Sequence, residues 1–565
     1  MRKSIFKFFL LVLLTTTSSA QTITQWAKDI GTPDNEYPTQ ICSDNYGNSY
    51  VAGAYFNNLN ICNDTLQNVI QPTSGNGTQN LFISKFDSTG NCLWTKTGIS
   101  IVPMTSSGAI APEITDIKYF EGNIYCIGVF TDRMIFDNDT LHNTACTNYC
   151  TSSFVMKIDT AGIISWSKCF QGSTSYSGVS ALVPYNNGIF ISGAYQGTIL
   201  IDTIQLNAPN SWTYNGYLLK LNSLGNCLWA KNTGNSYIGS SATDLVFDNN
   251  KNLYITGSYG DSIVFPTITL NDSTPVWARS TFFAKYDTLG NFIWAKGGRA
   301  SMRGLIYNQK LCLGNSGYIY FTGSFSDSVR FGSTTYTTAS NFWYKDILVK
   351  IDSTGQFMWS KTSGNRNSFQ NFSSIIESNS YGFVLFSGFM DNVVVGSNTI
   401  YSNSGSLDNL LTQYDNYGNI IWYKYFGGMS QEIPKDVHCN NDIIYLTGRT
   451  MSNYSVDAFN IINKGAGDIF ISRLKTNSIL TNLFYNTANF NLEYSIFPNP
   501  TYNNVNVSSN KIIEEVIITD LLGQIVYQIK PFENIISLQL DKVGVYFVTI
   551  ISGRQTSTKK LIVAK

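Results

Sequence analysis

Seven times along this chain a Trp-x-Lys triplet returns, at Trp26, Trp94, Trp166, Trp229, Trp294, Trp359 and Trp422, spaced 63–72 residues apart. A second element, an apolar run with a fixed glycine, recurs at Gly53, Gly128, Gly193, Gly257, Gly323, Gly388 and Gly448. A third, an aromatic or aliphatic run ending in a basic residue and Asp, reads LFISKFD, SFVMKID, TFFAKYD and DILVKID in its clearest copies. Three elements repeating in constant order restrict the fold to an array in which each unit buries its apolar face against the next. Within residues 243–296 the order is strand, turn, strand, variable stretch, strand, the turn Asp287 to Asn291, and a last strand. Asp opening and Gly closing such a turn is hairpin chemistry. Four strands in about 65 residues predict a propeller blade. WD-type blades need only about 40–45 residues, so the surplus falls in the variable stretch, where binding loops would lie.

The ends of the array are complementary. The seventh unit has its Gly448 strand and its DIFISRLK strand but no Trp strand after them, while Gln21–Lys28 is a Trp strand with nothing before it. The N-terminal strand is therefore expected to complete the last blade, closing a ring and removing exposed edges. The fold class that follows is all-β: a seven-bladed β-propeller over 21–477, closed by the N-terminal strand. An Asn/Thr-rich linker, 478–492, leads to a second alternating pattern over 493–565, which predicts a small Ig-like β-sandwich. Ahead of the array, residues 1–20 read as a secretory signal: Arg2, Lys3 and Lys7, an apolar run from Phe8 to Leu14, then Ser18-Ser19-Ala20.

The repeats resemble the bacterial seven-bladed β-propeller repeat family, whose units run Trp-x-Lys, Asp-x-x-Gly-Asn, Tyr-x-x-Gly and Phe-x-x-Lys. Gln413 and Arg473 depart from it at the Lys position and Asn222 at the turn Asp. That resemblance implies secreted or surface proteins with no assigned active site. The tail resembles the type A C-terminal sorting domain of type IX secretion cargo. Its carriers are Pro498-Asn499-Pro500-Thr501, Asp520 with Leu522-Gly523-Gln524, Gly544-Val545-Tyr546, and Lys559-Lys560-Leu561-Ile562-Val563. This resemblance implies engagement by the type IX machinery and passage across the outer membrane of a Bacteroidota-type cell, to the surface or the exterior.

Composition bounds the chemistry. With 43% hydrophobic residues the chain is not disordered, and 37 basic against 37 acidic residues exclude a nucleic-acid binder that works by bulk charge. No stretch after the signal is long and apolar enough to span a bilayer. There are two histidines, His142 and His438, and neither sits in a catalytic or metal-binding motif. GxSxG, HExxH, P-loop and GxGxxG patterns are absent. No catalysis, cofactor or metal is therefore expected, and the reading is a non-catalytic binding, adhesion or surface-display protein.

The alternative reading, a polysaccharide-active, glycosidase-like enzyme, rests on carboxylates. Glu36, Glu113 and Glu432 enter inner strands, and Asp116, Asp244 and Asp436 precede inner-strand apolar residues, so a ring of them would suit calcium or glycoside hydrolysis. The seven repeated Trp suit packing between blades. Trp212, Trp277 and Trp343 break the repeat among Asn, Ser, Thr and Tyr, which suits recognition of a glycan or protein ligand. Among 10 cysteines, Cys146 and Cys150 are the best-placed pair for a bridge, while Cys126 and Cys312 read as small buried hydrophobes. The triplets beginning at Asp64, Asp139, Asp202, Asp261 and Asp327 resemble the O-glycosylation sequon of Bacteroidota exported proteins and equally suit ordinary turns.

Overall fold

Each repeat folds into one antiparallel sheet. The computed structural model describes residues 22–476 and 494–564, apart from 63, 69–78, 102–110, 146–149, 173–175, 187, 272–277, 302–303, 315–316, 339–343, 363–372, 379–381, 397, 522, 532 and 553–554. The chain divides into two compact units, Met1–Asn477 and Ser478–Lys565. Residues 1–20 and the linker 478–492 lie outside the described residues.

In the first unit, the first sheet runs Glu36–Ser43, Ser49–Tyr55, Asn80–Phe86 and Cys92–Ile101, each strand beside the last. The same order restarts at Glu113, Ser177, Ser240, Ile306 and Ser373. The seventh sheet has Glu432–Asn440, Ile443–Thr450 and Asp468–Thr476, and its fourth strand is Thr22–Ile30, paired from Thr22↔Thr476 to Ile30↔Ile469. The N-terminal strand thus supplies the edge that the seventh repeat lacks. The unit is all-β, and its sheets have the make-up of propeller blades.

Apolar clusters fill the joints between successive sheets. One joins sheets one and two through Tyr50, Ile83, Ile117 and Phe154. The cluster of Trp26, Ile30, Ile469 and Ile471 with Ile41, Val51 and Phe82 joins the seventh sheet to the first. The repeated motifs make these joints. Trp26, Trp94, Trp166 and Trp294 donate their indole N–H to Ser88, Thr160, Ser223 and Ser353, carbonyls in the last turn of the next sheet. The glycine of that turn lies against the ring, as Gly290 does on Trp229 and Gly418 on Trp359. Asn222, the departure at the turn Asp, still accepts from Leu224 N (3.0 Å) and Asn226 N (3.0 Å).

The glycine of the second strand has a different cause. A Cβ on Gly257 would stand 1.9 Å from the Ser241 carbonyl and 2.6 Å from the Phe282 ring. Gly257→Ala is therefore expected to destabilise this unit by about 2–3 kcal/mol through overpacking, read as a lower thermal midpoint. An unchanged midpoint would remove the steric reason for this glycine.

Much of the surplus in the variable stretch goes into hairpins rather than free loops. Arg133–Phe136, Thr198–Ile201 and Ser328–Phe331 each pair with the outer strand of the preceding sheet. One disulfide was not singled out by the sequence. The hairpin tip at Cys62 folds back to form a disulfide with Cys92. Cys150 is bonded too, while Cys146 lies outside the described residues. Cys126 and Cys312 are buried and outside any disulfide, as expected of small apolar side chains.

The second unit has two sheets. Tyr494–Phe497, Asn504–Ile513 and Glu533–Gln539 form one; Ile525–Ile529, Glu515–Thr519, Gly544–Ser552 and Gln555–Val563 form the other. Val507, Ile518, Leu538, Val548 and Leu561 are among the residues of their shared core.

Candidate functional site

The inner strands begin at one end of the sheets, and the sequence placed most of its candidate carboxylates there. Each strand bearing Asp116, Asp244 or Asp436 shifts register just before that residue. The shift turns the carboxylate toward the next sheet, where it accepts a backbone N–H. Asp436 Oδ2 takes Ile41 N at 2.9 Å, Asp116 Oδ2 takes Leu182 N at 2.9 Å, and Asp244 Oδ2 takes Leu311 N at 2.7 Å. Sheets seven, two and four thus supply carboxylates, and sheets one, three and five supply N–H groups. Lys118 Nζ lies 2.8 Å from Asp116 Oδ1. Burial works against its ammonium, but Asp116, Asp436 and Asp244 outweigh that and raise its pKa. Burial raises the Asp244 and Asp436 carboxyls, opposed mainly by Lys310 and Lys118 respectively. These three aspartates with two lysines form a mixed-charge set, not a ring of carboxylates alone. Among the described residues no group of three or more His, Cys, Asp or Glu is placed to hold a metal ion.

The glutamates go elsewhere. Glu36 is fully buried; its Oε1 accepts from Thr32 Oγ1 at 2.5 Å, and desolvation pushes its pKa up to about 7. Glu432, equally buried, accepts from Gly428 N (2.9 Å) and Ser452 Oγ (2.6 Å), and desolvation pushes it to about 7 as well. Each faces an aspartate that opens a third strand: Asp468 beside Glu36, Asp408 beside Glu432, both pushed up to about 6 by burial. Sequence reasoning missed Asp408 and Asp468. The available signal was a glycine that makes room for each, since a Cβ on Gly31 would stand 2.2 Å from Asp468 Cγ and one on Gly427 2.3 Å from Asp408 Oδ1. Glu113 reaches solvent, yet the protein around it raises its carboxyl, with Lys435 opposing. His438 is held down to about 3 by burial and then by Lys118, so it is neutral and not poised for proton transfer at neutral pH. His142 lies 3.8 Å from Asp132.

Three exposed aromatic residues, Trp212, Tyr214 and Tyr237, share the loops that flank the last strands of the third sheet. Trp212 is 85% exposed and Tyr237 73%. Their loops are stitched together: Asn210 Nδ2 and Thr213 Oγ1 both donate to the Tyr237 carbonyl at 3.3 Å. Asn210 Oδ1 also takes Trp212 N at 3.0 Å, and Gln196 Nε2 donates to the Trp212 carbonyl at 3.3 Å. Tyr214, on the same loop, meets Tyr176 edge to face at 5.1 Å. Trp277 and Trp343 lie outside the described residues. Of the possible sequons, Thr65, Thr140 and Thr203 are exposed on inserted hairpins.

In the second unit the Pro498–Pro500 loop and Gly544–Tyr546 both meet the last strand, which carries the Lys559–Val563 motif. Asn499 Nδ2 donates to the Lys560 carbonyl (2.7 Å) and Asn499 Oδ1 accepts Ile562 N (2.9 Å), tying the Pro498–Pro500 loop to Gln555–Val563. Asp520 accepts Gln524 N at 2.9 Å across the turn that carries Gly523. Tyr546, two residues after Gly544, donates to the Lys542 carbonyl at 2.8 Å, and Lys559 donates to the Tyr494 carbonyl and lies over its ring.

Residues 495–564 match the secretion system C-terminal sorting domain family. An uncharacterized WD repeat-containing protein of Acanthamoeba polyphaga mimivirus is 27% identical over 270 residues, 41% of this chain; the match spans only 19% of that relative's length. Among solved structures, PorZ, a surface component of the type IX secretion system of Porphyromonas gingivalis, is 9% identical, with 94% of this chain and 81% of that one covered at a TM-score of 0.20. A Trypanosoma rangeli sialidase is also 9% identical, with 87% of each chain covered at a TM-score of 0.33. No helix among the described residues is long and apolar enough to cross a membrane. Through its C-terminal sorting domain the protein is exported by the type IX secretion machinery, across the outer membrane to the cell surface or the exterior.

Proposed function

We propose that residues 21–477 form a seven-bladed β-propeller closed by the N-terminal strand, exported with an Ig-like sorting sandwich, and that this propeller is a non-catalytic module binding a glycan or a protein. The ledge formed by Trp212 and Tyr237 carries the reading. It presents two large rings to solvent on loops fixed by hydrogen bonds, so little ordering cost remains on binding. Support against a catalytic role comes from the carboxylates. Glu36 and Glu432 are buried with bound partners, and Asp116, Asp244 and Asp436 already accept backbone N–H groups of the next sheet.

The test is a polysaccharide and glycan array on which protein retained and glycan lost are read together. Retention without loss is expected, and Trp212→Ala should weaken it about tenfold while leaving stability within about 0.5 kcal/mol. Loss of glycan, abolished by Ala at Glu113 and Asp116, would instead establish the enzymatic reading. Retention indifferent to Trp212→Ala would remove the ledge from the account, and no retention on any glycan would leave a protein as its ligand.

A further inference from the structure

At three joints the lysine of Trp-x-Lys is neutralised by an aspartate at the tip of the next inserted hairpin. Lys96 meets Asp137 at 2.7 Å, Lys168 meets Asp202 at 3.8 Å, and Lys424 meets Asp457 at 2.5 Å. These tips share a left-handed backbone, φ 48°, 51° and 52°. At the joint between the seventh sheet and the first, Cys62 stands in the same place with φ 55°, and its sulfur is bound to Cys92. Lys28 thereby lacks the carboxylate that meets Lys96, Lys168 and Lys424. The hairpin Asn58–Ile61/Asp64–Gln67 also forms its own two-stranded sheet, with no pairing to Thr22–Ile30. A recess of about 550 Å³ opens between them, well within the range of small-ligand sites.

We propose that this recess, walled by Lys28, Asn60, Asp64, Thr65 and Asn91 over the apolar Phe86, is a binding site for a neutral, hydroxyl-rich ligand of mono- or disaccharide size. The lining mixes an ammonium and a carboxylate, each without a partner among the described residues, with two amides. Such a set donates to and accepts from adjacent hydroxyls at once. Its charges cancel: Lys28 offsets Asp64, and Asp29, which also lines the recess, is held by Lys464 at 2.6 Å. Balance of this kind favours a neutral ligand over phosphate or sulfate. Both amides are pre-set, Asn60 Oδ1 by Thr65 Oγ1 (2.8 Å) and Asn91 Nδ2 by Thr89 Oγ1 (2.8 Å). The disulfide pins the hairpin tip that would otherwise carry the closing aspartate. This site is on another joint from the Trp212 ledge, so the two stand or fall separately.

Saturation-transfer NMR on the full chain tests it, with glucose, galactose, mannose, N-acetylglucosamine, maltose, cellobiose and lactose as probes and sodium sulfate as the anionic competitor. At least one sugar is expected to bind. Lys28→Ala and Asp64→Asn should each weaken it about tenfold, with Trp212→Ala leaving it unchanged. Lys28→Gln, which keeps the stem of the side chain, should show the same loss at an unaltered thermal midpoint. Absence of binding across the panel, indifference to Lys28 and Asp64 substitutions, or displacement of the sugar by sulfate would each overturn the proposal.

Discussion

A chain lacking Thr22–Ile30 will lose cooperative unfolding and elute as aggregate, although it keeps every residue of the other six sheets. The strand pairs along its whole length with Asp468–Thr476 and brings Trp26 and Ile30 into the joint with the first sheet. Thr24 gives Asp457 two hydrogen bonds, at 3.0 and 2.5 Å, and Trp26 donates to the Ser88 carbonyl at 3.1 Å. Without the strand, Asp468–Thr476 becomes an open edge and the joint between the seventh sheet and the first loses its cover, both of which favour intermolecular pairing. The single change Trp26→Ala should cost about 3–5 kcal/mol, against the negligible cost expected of Trp212→Ala. A synthetic Thr22–Ile30 peptide added in trans should restore part of the cooperative transition. A truncated chain that elutes as a monomer with the parental midpoint would sink the claim that this strand seals the joint between the seventh sheet and the first.

The strand was legible because its signal is repetition. Trp26, Gly90 and Asp87 each recur in register: the indoles of Trp26, Trp94, Trp166 and Trp294 donate to a turn carbonyl of the next sheet, and Trp229 and Trp359 still lie against the glycine of that turn, so one pattern reports one geometry. What the sequence left hidden depends on pairs. Asp116, Asp244 and Asp436 were visible as inner-strand acids, but their service to Leu182, Leu311 and Ile41 depends on strand bulges and on an alternation between sheets that no single motif encodes. Cys62 and Cys92 are separated by 30 residues and meet only because a hairpin folds back along the outer wall. Asp408 and Asp468 look like ordinary strand openers until Gly427 and Gly31 are seen to make room for them. Trp212 was singled out because it breaks the repeat, and the structure places it in the open.

Stability will rise as pH falls from 8 to about 5, the reverse of common acid sensitivity. Four buried carboxyls flank the seventh sheet: Glu36 and Asp468 on one side, Glu432 and Asp408 on the other. Desolvation is the leading cause at each, and the partner acid adds to it at both glutamates. Lys464 and Arg449 oppose it at Asp468 without reversing it. An acid whose folded pKa is raised binds its proton more tightly when folded, so its contribution is fully present below the unfolded pKa and is lost as pH climbs through the folded value. With Glu36 and Glu432 at about 7, that loss spans roughly pH 4 to 7 and amounts to about 3 kcal/mol per pair if each pair holds one proton. The turn aspartates oppose the trend only at lower pH. Asp87, despite slight burial, is held down to about 2 by Thr89 and Asn91, so this class of stability fades below about pH 4. Urea midpoints should therefore be higher at pH 5 than at pH 8. Glu36→Gln and Glu432→Gln, which mimic the protonated acid, should flatten that slope. A midpoint that climbs from pH 5 to 8, or a slope unchanged in both variants, would show that these acids are ionised in the folded protein.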